Sequence, residues 1–156
     1  MNTTADKLAE ALNDLVLINN DRITGYEKAI DELKDSSEDL KAIFRGFMDT
    51  SRRNVAQLIE SIHQVGGESK TGTTNSGKLY RAWMDLKVTF TSNDRLTVLE
   101  SCEFGEDAAQ KAYQSALSSD IEMDAETRQL ITKQKEELKN GHDTVKRYRD
   151  LNKNSK

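Results

Sequence analysis

The sequence predicts an all-α protein, an antiparallel four-helix bundle formed by a single domain over residues 1–156. Three observations carry that expectation. No proline occurs in 156 positions, which favours long uninterrupted helices over strands and loops. Hydrophobic residues make up 35% and aromatics 6%, thin for a sandwich or a parallel sheet but enough for helices that each bury one apolar stripe. The turn signals are few, and they divide the chain into four long helical stretches and one short one.

The first helix is expected over about residues 4–34, with Thr3 or Thr4 as its N-cap. Asp35-Ser36-Ser37 turns the chain, and Ser36 with Asp39 resembles an acidic N-terminal cap for a second helix over about 38–65. Gly66-Gly67 stops that helix, and Glu68 to Gly77 has the composition of a flexible loop. A short helix follows over about 77–90, where Leu79, Trp83, Leu86 and Phe90 are spaced four, three and four apart. Ser92-Asn93-Asp94 breaks and recaps the chain ahead of a third long helix over about 94–118. Asp124 caps the last helix, over about 125–151. The stretch from Gly66 to about Asn93 is too long for a tight hairpin. A short helix within it could carry the chain along the bundle and make the second and third long helices parallel, but the sequence leaves the direction of the third helix open.

Composition also narrows function. A net charge of -4 argues against a surface that wraps nucleic acid. One cysteine excludes a disulfide framework and a thiolate metal cluster, and fits a reducing, cytoplasmic location. No run of about 18 apolar residues exists, so no membrane partner is expected. The basic C-terminal residues Lys146, Arg147, Arg149, Lys153 and Lys156 are read as cations favoured at the negative end of a helix dipole. Gly-rich phosphate loops and nucleophile elbows are absent, and Cys102 reads as a buried apolar side chain.

At 100° per residue, the apolar face of each long helix is interrupted near its middle by polar residues. The first helix carries Asn19 at the centre of its face and Arg22 on the flank. The second has Ser51 and Asn54, the third Glu106 and Glu103, and the fourth Gln134 and His142. With a rise of about 1.5 Å per residue, these positions fall within about two turns of one level. Inward carboxylates need partners, because an unpaired buried carboxylate costs several kcal/mol or takes up a proton. Arg22 is expected to neutralise one of them through a bidentate contact, with His142, Asn54, Gln134 and Tyr26 supplying hydrogen bonds. The same eight residues admit two readings: a network that fixes helix register, or a ligand or metal site.

Several blocks together resemble a known family. They are Val65-Gly66-Gly67, Arg81-Ala82-Trp83-Met84-Asp85-Leu86-Lys87, Cys102-Glu103-Phe104-Gly105-Glu106-Asp107, and His142-Asp143 with Arg149-Asp150. Across essentially the whole chain the sequence is similar to an uncharacterised bacterial four-helix-bundle family, a domain of unknown function within the ferritin-like superfamily. The resemblance implies a ferritin-like bundle in a cytoplasmic bacterial protein and no established reaction. Working members of the superfamily hold two iron ions with a Glu on each of two helices and a Glu-x-x-His on each of the other two. This sequence departs from that set. Its mid-bundle pairs are Asn19/Arg22, Ser51/Asn54, Glu103/Glu106 and Lys139/His142, and Arg22 would oppose a divalent cation. The one literal Glu-x-x-His, Glu60 to His63, faces away from Ser51 at a helix end and is rejected as a ligand motif.

Two functions are weighed on these grounds. The first is a non-catalytic bundle without a cofactor, associated with a stress response and acting through a homodimer or a partner protein. The second is an iron- or manganese-binding redox protein using Glu103, Glu106 and His142, with Glu27 as a stray ligand. A third class, an adaptor that docks a partner along its long helices, has no dedicated sequence signal. The first is preferred, because a two-metal centre needs about six protein ligands and only three central ones are present.

Overall fold

The computed structural model describes residues 4–33, 37–68 and 95–154. They form four α-helices, α1 (Thr4–Glu32), α2 (Glu38–Gln64), α3 (Arg95–Ser118) and α4 (Ala125–Asn154), with no strand among the described residues. The short helix expected at 77–90, and the capping role of Ser36, fall outside the described residues. The last helix runs past Leu151 to Asn154, since nothing in Asp150-Leu151-Asn152-Lys153 stops it.

Hydrogen-bond register gives the directions. Asn19 meets Asn54 and Tyr113, whereas Arg22 meets Ser51 and Glu106, so residue numbers rise on α1 as they fall on α2 and α3. Both helices are therefore antiparallel to α1 and parallel to each other. On α4 the numbers rise as α3 descends, from the Tyr113–Gln134 contact to the Glu103–Arg149 ion pair. Parallel α2 and α3 begin at the same end, where Arg95 grips Asp39 through two bonds of 3.0 and 2.7 Å. The same carboxylate also accepts from the Leu40 N–H in the first turn of α2, so Asp39 serves that helix start and holds α3 as well. Its carboxylate is drawn to Arg95, whose hydrogen bond holds its pKa down at about 2.

The helix ends are set by local chemistry. At the end of α2, Gly66 adopts φ +81°, and its N–H donates to the His63 carbonyl while the Gly67 N–H donates to Ile62. This paired 5→2 and 6→1 closure satisfies carbonyls that the last turn would otherwise leave open. Asn13 Nδ2 then donates to the Glu68 carbonyl at 2.8 Å, binding the exit of α2 to α1. At the start of α4, Asp124 Oδ1 accepts from the Thr127 N–H at 3.2 Å, an N-cap bond.

The core lies in two apolar clusters. One gathers Tyr26, Leu33, Leu40, Phe44, Leu99, Cys102 and Val145; the other gathers Leu8, Leu12, Leu58, Ile62, Tyr113, Ile131 and Leu138. Between them sits a polar layer to which every helix contributes a buried residue: Asn19 and Arg22, Ser51 and Asn54, Glu106, and Gln134. None of the described helices is long and apolar enough to cross a membrane.

The left-handed backbone at Gly66 generates the first prediction. A Cβ at this φ crowds the following carbonyl, so Gly66→Ala should cost roughly 1–2 kcal/mol. Urea denaturation of the wild type and the variant measures the difference, and an unchanged midpoint would contradict the assignment of this cap.

Candidate functional site

The middle layer is built in two tiers. The first is charged. Arg22 on α1 and Glu106 on α3 are 2% and 1% exposed, and they meet side by side. Arg22 Nε donates to Glu106 Oε1 at 2.5 Å and Nη2 to Oε2 at 3.1 Å, so the fork of the guanidinium engages both carboxylate oxygens. Nη1 turns to α2 and donates to the Phe47 carbonyl and to Ser51 Oγ, each at 2.9 Å. The rings of Tyr26 and Phe47 each lie 5.2 Å from the guanidinium carbon, close enough to share its charge.

The electrostatics follow from burial and this pairing. Burial alone would lower the Arg22 pKa, but the Glu106 charge and hydrogen bond outweigh it and hold the guanidinium protonated. Burial, and then the Glu106 charge, push the Tyr26 phenol well above its ordinary value. The same two causes raise the Cys102 thiol. Neither phenol nor thiol is set up as an acid, a base or a nucleophile near neutral pH.

Gly141 makes this approach possible. A Cβ at that position would stand 2.8 Å from Arg22 Nη2 and 2.9 Å from Glu106 Oε2, inside contact distance of both. Each atom could move alone at the end of a flexible side chain, but here they are bound to each other. Glycine is unfavourable in a helix interior, and at this position of the unbroken run of α4 the space it leaves is taken up by the ion pair.

The second tier is neutral and circles the bundle. Asn54 Nδ2 donates to Asn19 Oδ1 at 3.2 Å, and Asn19 Nδ2 donates to the Tyr113 hydroxyl at 2.8 Å. Tyr113 in turn donates to Gln134 Oε1 at 2.7 Å. Gln134 Nε2 returns to α2, to Gln57 Oε1 at 3.0 Å and the Asn54 carbonyl at 3.3 Å. The Tyr113 hydroxyl thus accepts one bond and donates another, and burial raises its pKa, which keeps it a donor.

Three expected residues stand elsewhere. Glu103 is not neutralised by Arg22; it pairs with Arg149 of α4, and the two side chains are 17% and 24% exposed. The three-residue step from Glu106 turns Glu103 about 60° toward the α3–α4 seam, where Arg149 reaches it. Arg149 therefore belongs to an ion pair, beyond the dipole role its position suggests. His142 also leaves the centre: it is 19% exposed and lies between Asp107 (Nε2 to Oδ1, 2.6 Å) and Asp143 (Nδ1 to Oδ1, 3.1 Å). One step past Gly141 rotates it about 100°, onto the flank facing α3. Glu27 is exposed on α1, as are Glu60 and His63 on α2.

Sequence reasoning placed Tyr113 in the apolar core and passed over Gly141 and Gln57. The available signals were a glycine within an otherwise unbroken helix and a tyrosine whose hydroxyl must find a partner when buried.

A ferritin-like di-iron centre needs several carboxylates and histidines converging on one point. Among the described residues, no group of three or more His, Cys, Asp or Glu side chains is arranged to hold a metal ion. Glu106 is the carboxylate at the centre, and its oxygens face a guanidinium. The described residues at this level do not make up the ligand set of a two-metal site. What the layer does chemically is hold four helices in one register, through a charged tier and a neutral tier in which the buried donors are largely matched to acceptors.

Comparison with known proteins places this geometry. The model of a family described as "Domain of unknown function (DUF2383)" matches residues 7–119. No curated protein matches the sequence. Among solved structures, a Dps1 mutant of Mycobacterium smegmatis superposes with a TM-score of 0.80 at 14% identity, covering 96% of this chain and 99% of that one. A structure titled as ferritin-like, diiron-carboxylate proteins from Bacillus anthracis str. Ames gives a TM-score of 0.62 at 15% identity, covering 99% and 98%. At such identity the likeness is one of fold: a ferritin-like four-helix bundle.

Two predictions follow from the charges. Removing one partner of a buried pair typically costs about 3–5 kcal/mol, so Arg22→Met should lose that much in denaturant unfolding at pH 7. Glu106 would then be buried without a counter-charge. A loss under about 1 kcal/mol would remove Arg22 as the partner of Glu106.

For His142, burial lowers the pKa, but hydrogen bonds from its ring to Asp143 and Asp107 outweigh it and the net shift is upward. Its stabilisation should be complete below the unfolded value of about 6.5 and fade as pH rises through the native value. With the ring partly in solvent the effect should stay under about 1 kcal/mol. An imidazole NMR titration should give a midpoint above 6.5 that falls in Asp107→Asn; an unshifted midpoint would refute the clasp.

Proposed function

The chain belongs to the DUF2383 family of unknown function, and from that premise and the geometry of its centre we propose that it is a non-catalytic ferritin-like bundle acting by association. In this reading the place of a metal centre is taken by the buried Arg22–Glu106 pair and the neutral ring beside it. One observation carries the proposal: both oxygens of Glu106 are engaged by the Arg22 guanidinium, with both groups out of water. A metal ion at either oxygen would sit against a fixed positive charge, which opposes its binding. The side chains that would complete a ligand set, Glu103 and His142, are committed to Arg149 and to Asp107 and Asp143.

The association is proposed to be with a second copy of the chain or a partner protein, in the cytoplasm and in a stress response. Two large apolar side chains on the outer surface support a contact role, Phe104 at 52% and Leu151 at 58% exposure. Scattered exposed apolar residues are common, so the weight of the reading stays on the centre.

The test is metal analysis of protein produced with iron and manganese supplied and purified without chelators, with dioxygen and peroxide consumption measured on the same sample. The expected result is no stoichiometric metal after gel filtration and no turnover. Metal retained at one or two equivalents, and lost in Glu106→Gln, would replace this reading with that of an iron- or manganese-dependent redox protein.

A further inference from the structure

Four positions, one on each helix, converge on a single point. Arg22 Nη1 lies 2.9 Å from Ser51 Oγ, Nη2 lies 3.1 Å from Glu106 Oε2, and the Cβ direction of Gly141 leads to within 3 Å of both Nη2 and Oε2. We propose that the Arg22 guanidinium is the resident cation of this centre, tethered to α1, and that it is the group that keeps divalent metal ions off Glu106. The inference rests on the non-catalytic reading above and adds to it a cause: occupancy by a built-in cation, rather than shortage of ligands alone.

The physical case has three parts. A buried carboxylate needs a positive partner, and an arginine supplies one at every pH the folded protein meets, with no dependence on metal supply. The guanidinium fork matches both oxygens of Glu106 and spends its remaining bonds on the Phe47 carbonyl and Ser51, so α1, α2 and α3 all hold it in place. The α4 position that faces the pair carries no side chain, which leaves room for the guanidinium and offers no ligand from that position.

A route to the centre also exists. A groove of about 270 Å³ between α2 and α4 reaches Arg22, lined by Phe47, Thr50, Glu137, Asn140 and Thr144 as well as Gly141. Its walls combine the polar groups of Thr50, Asn140 and Thr144 with the Phe47 ring, and Glu137 on one side is held by Arg53 at 2.9 Å. An ion entering the groove meets a positive charge at the bottom.

The experiment is titration of metal-free wild type, Arg22→Glu, Arg22→Gln and the double variant Arg22→Glu with Glu106→Gln, using Mn²⁺ and Co²⁺. Readouts are the rise in melting temperature, the visible absorption of bound Co²⁺, and helical circular dichroism. Wild type should show no metal-dependent change, and Arg22→Glu should bind at least about tenfold more tightly than wild type through Glu106. The double variant should lose that gain. If Arg22→Glu folds only when Mn²⁺ is added, the result also supports the inference, since the metal then replaces the lost cation. Arg22→Gln folds with a smaller perturbation and should show a weaker Co²⁺ signal of the same origin. If neither folded variant takes up metal, Arg22 is not what excludes it, and this inference falls while the association reading stands. If wild type itself binds metal through Glu106, both fall.

Discussion

A guanidinium and a carboxylate, both removed from water, form the contact on which the rest of the interior depends. Either ion alone in this core would be strongly unfavourable, so Arg22 and Glu106 are tolerable only together and only in the geometry that pairs both oxygens. That requirement spreads outward. Ser51 and the Phe47 carbonyl complete the guanidinium, the Tyr26 and Phe47 rings flank it, and Gly141 yields the space it occupies. Sliding any helix by one turn would strand a charge or an amide without its partner.

The neutral ring of Asn19, Asn54, Tyr113, Gln134 and Gln57 acts in the same sense at lower cost. Each link crosses from one helix to the next, and the circuit returns to α2. Apolar packing above and below the layer is compatible with several registers, because leucine and isoleucine contacts have little directionality. Hydrogen bonds and ion pairs have direction, so the layer selects one arrangement among those the apolar clusters permit. Outside the centre, the Asp39–Arg95, Glu103–Arg149 and Asp107–His142 pairs sit along helix seams, where water weakens each of them.

The fold likeness to a Dps1 mutant and to ferritin-like diiron-carboxylate proteins sharpens what is distinctive here. A four-helix bundle can host a metal centre, a polar network or a plain apolar core, and the shared backbone does not choose among them. The choice is made by the side chains at mid-height. In this chain those are an arginine, a serine, two asparagines, a tyrosine, two glutamines, a glycine and a single central glutamate among the described residues. Such a set favours permanent structure over exchangeable coordination.

The sequence by itself determined the helices and their inward faces. Helix formation and amphipathic phase are local properties, legible from the 3.6-residue period, the missing prolines and the Gly66-Gly67 stop. That period also marks Asn19, Arg22, Ser51, Asn54, Glu106 and Gln134 as sharing the phase of the apolar residues, and the structure buries all six. Only tertiary structure decided who meets whom. Glu103 and His142 lie about 60–100° from positions facing the centre, and whether such a residue points to the core or to a seam depends on the rotation of its helix against its neighbours. Packing turned both to the seam, where Arg149, Asp107 and Asp143 were waiting from distant or adjacent parts of the chain. Gly141 is the sharpest case. A glycine announces only that a side chain is missing, and the reason emerges when α4 is laid against an ion pair contributed by α1 and α3.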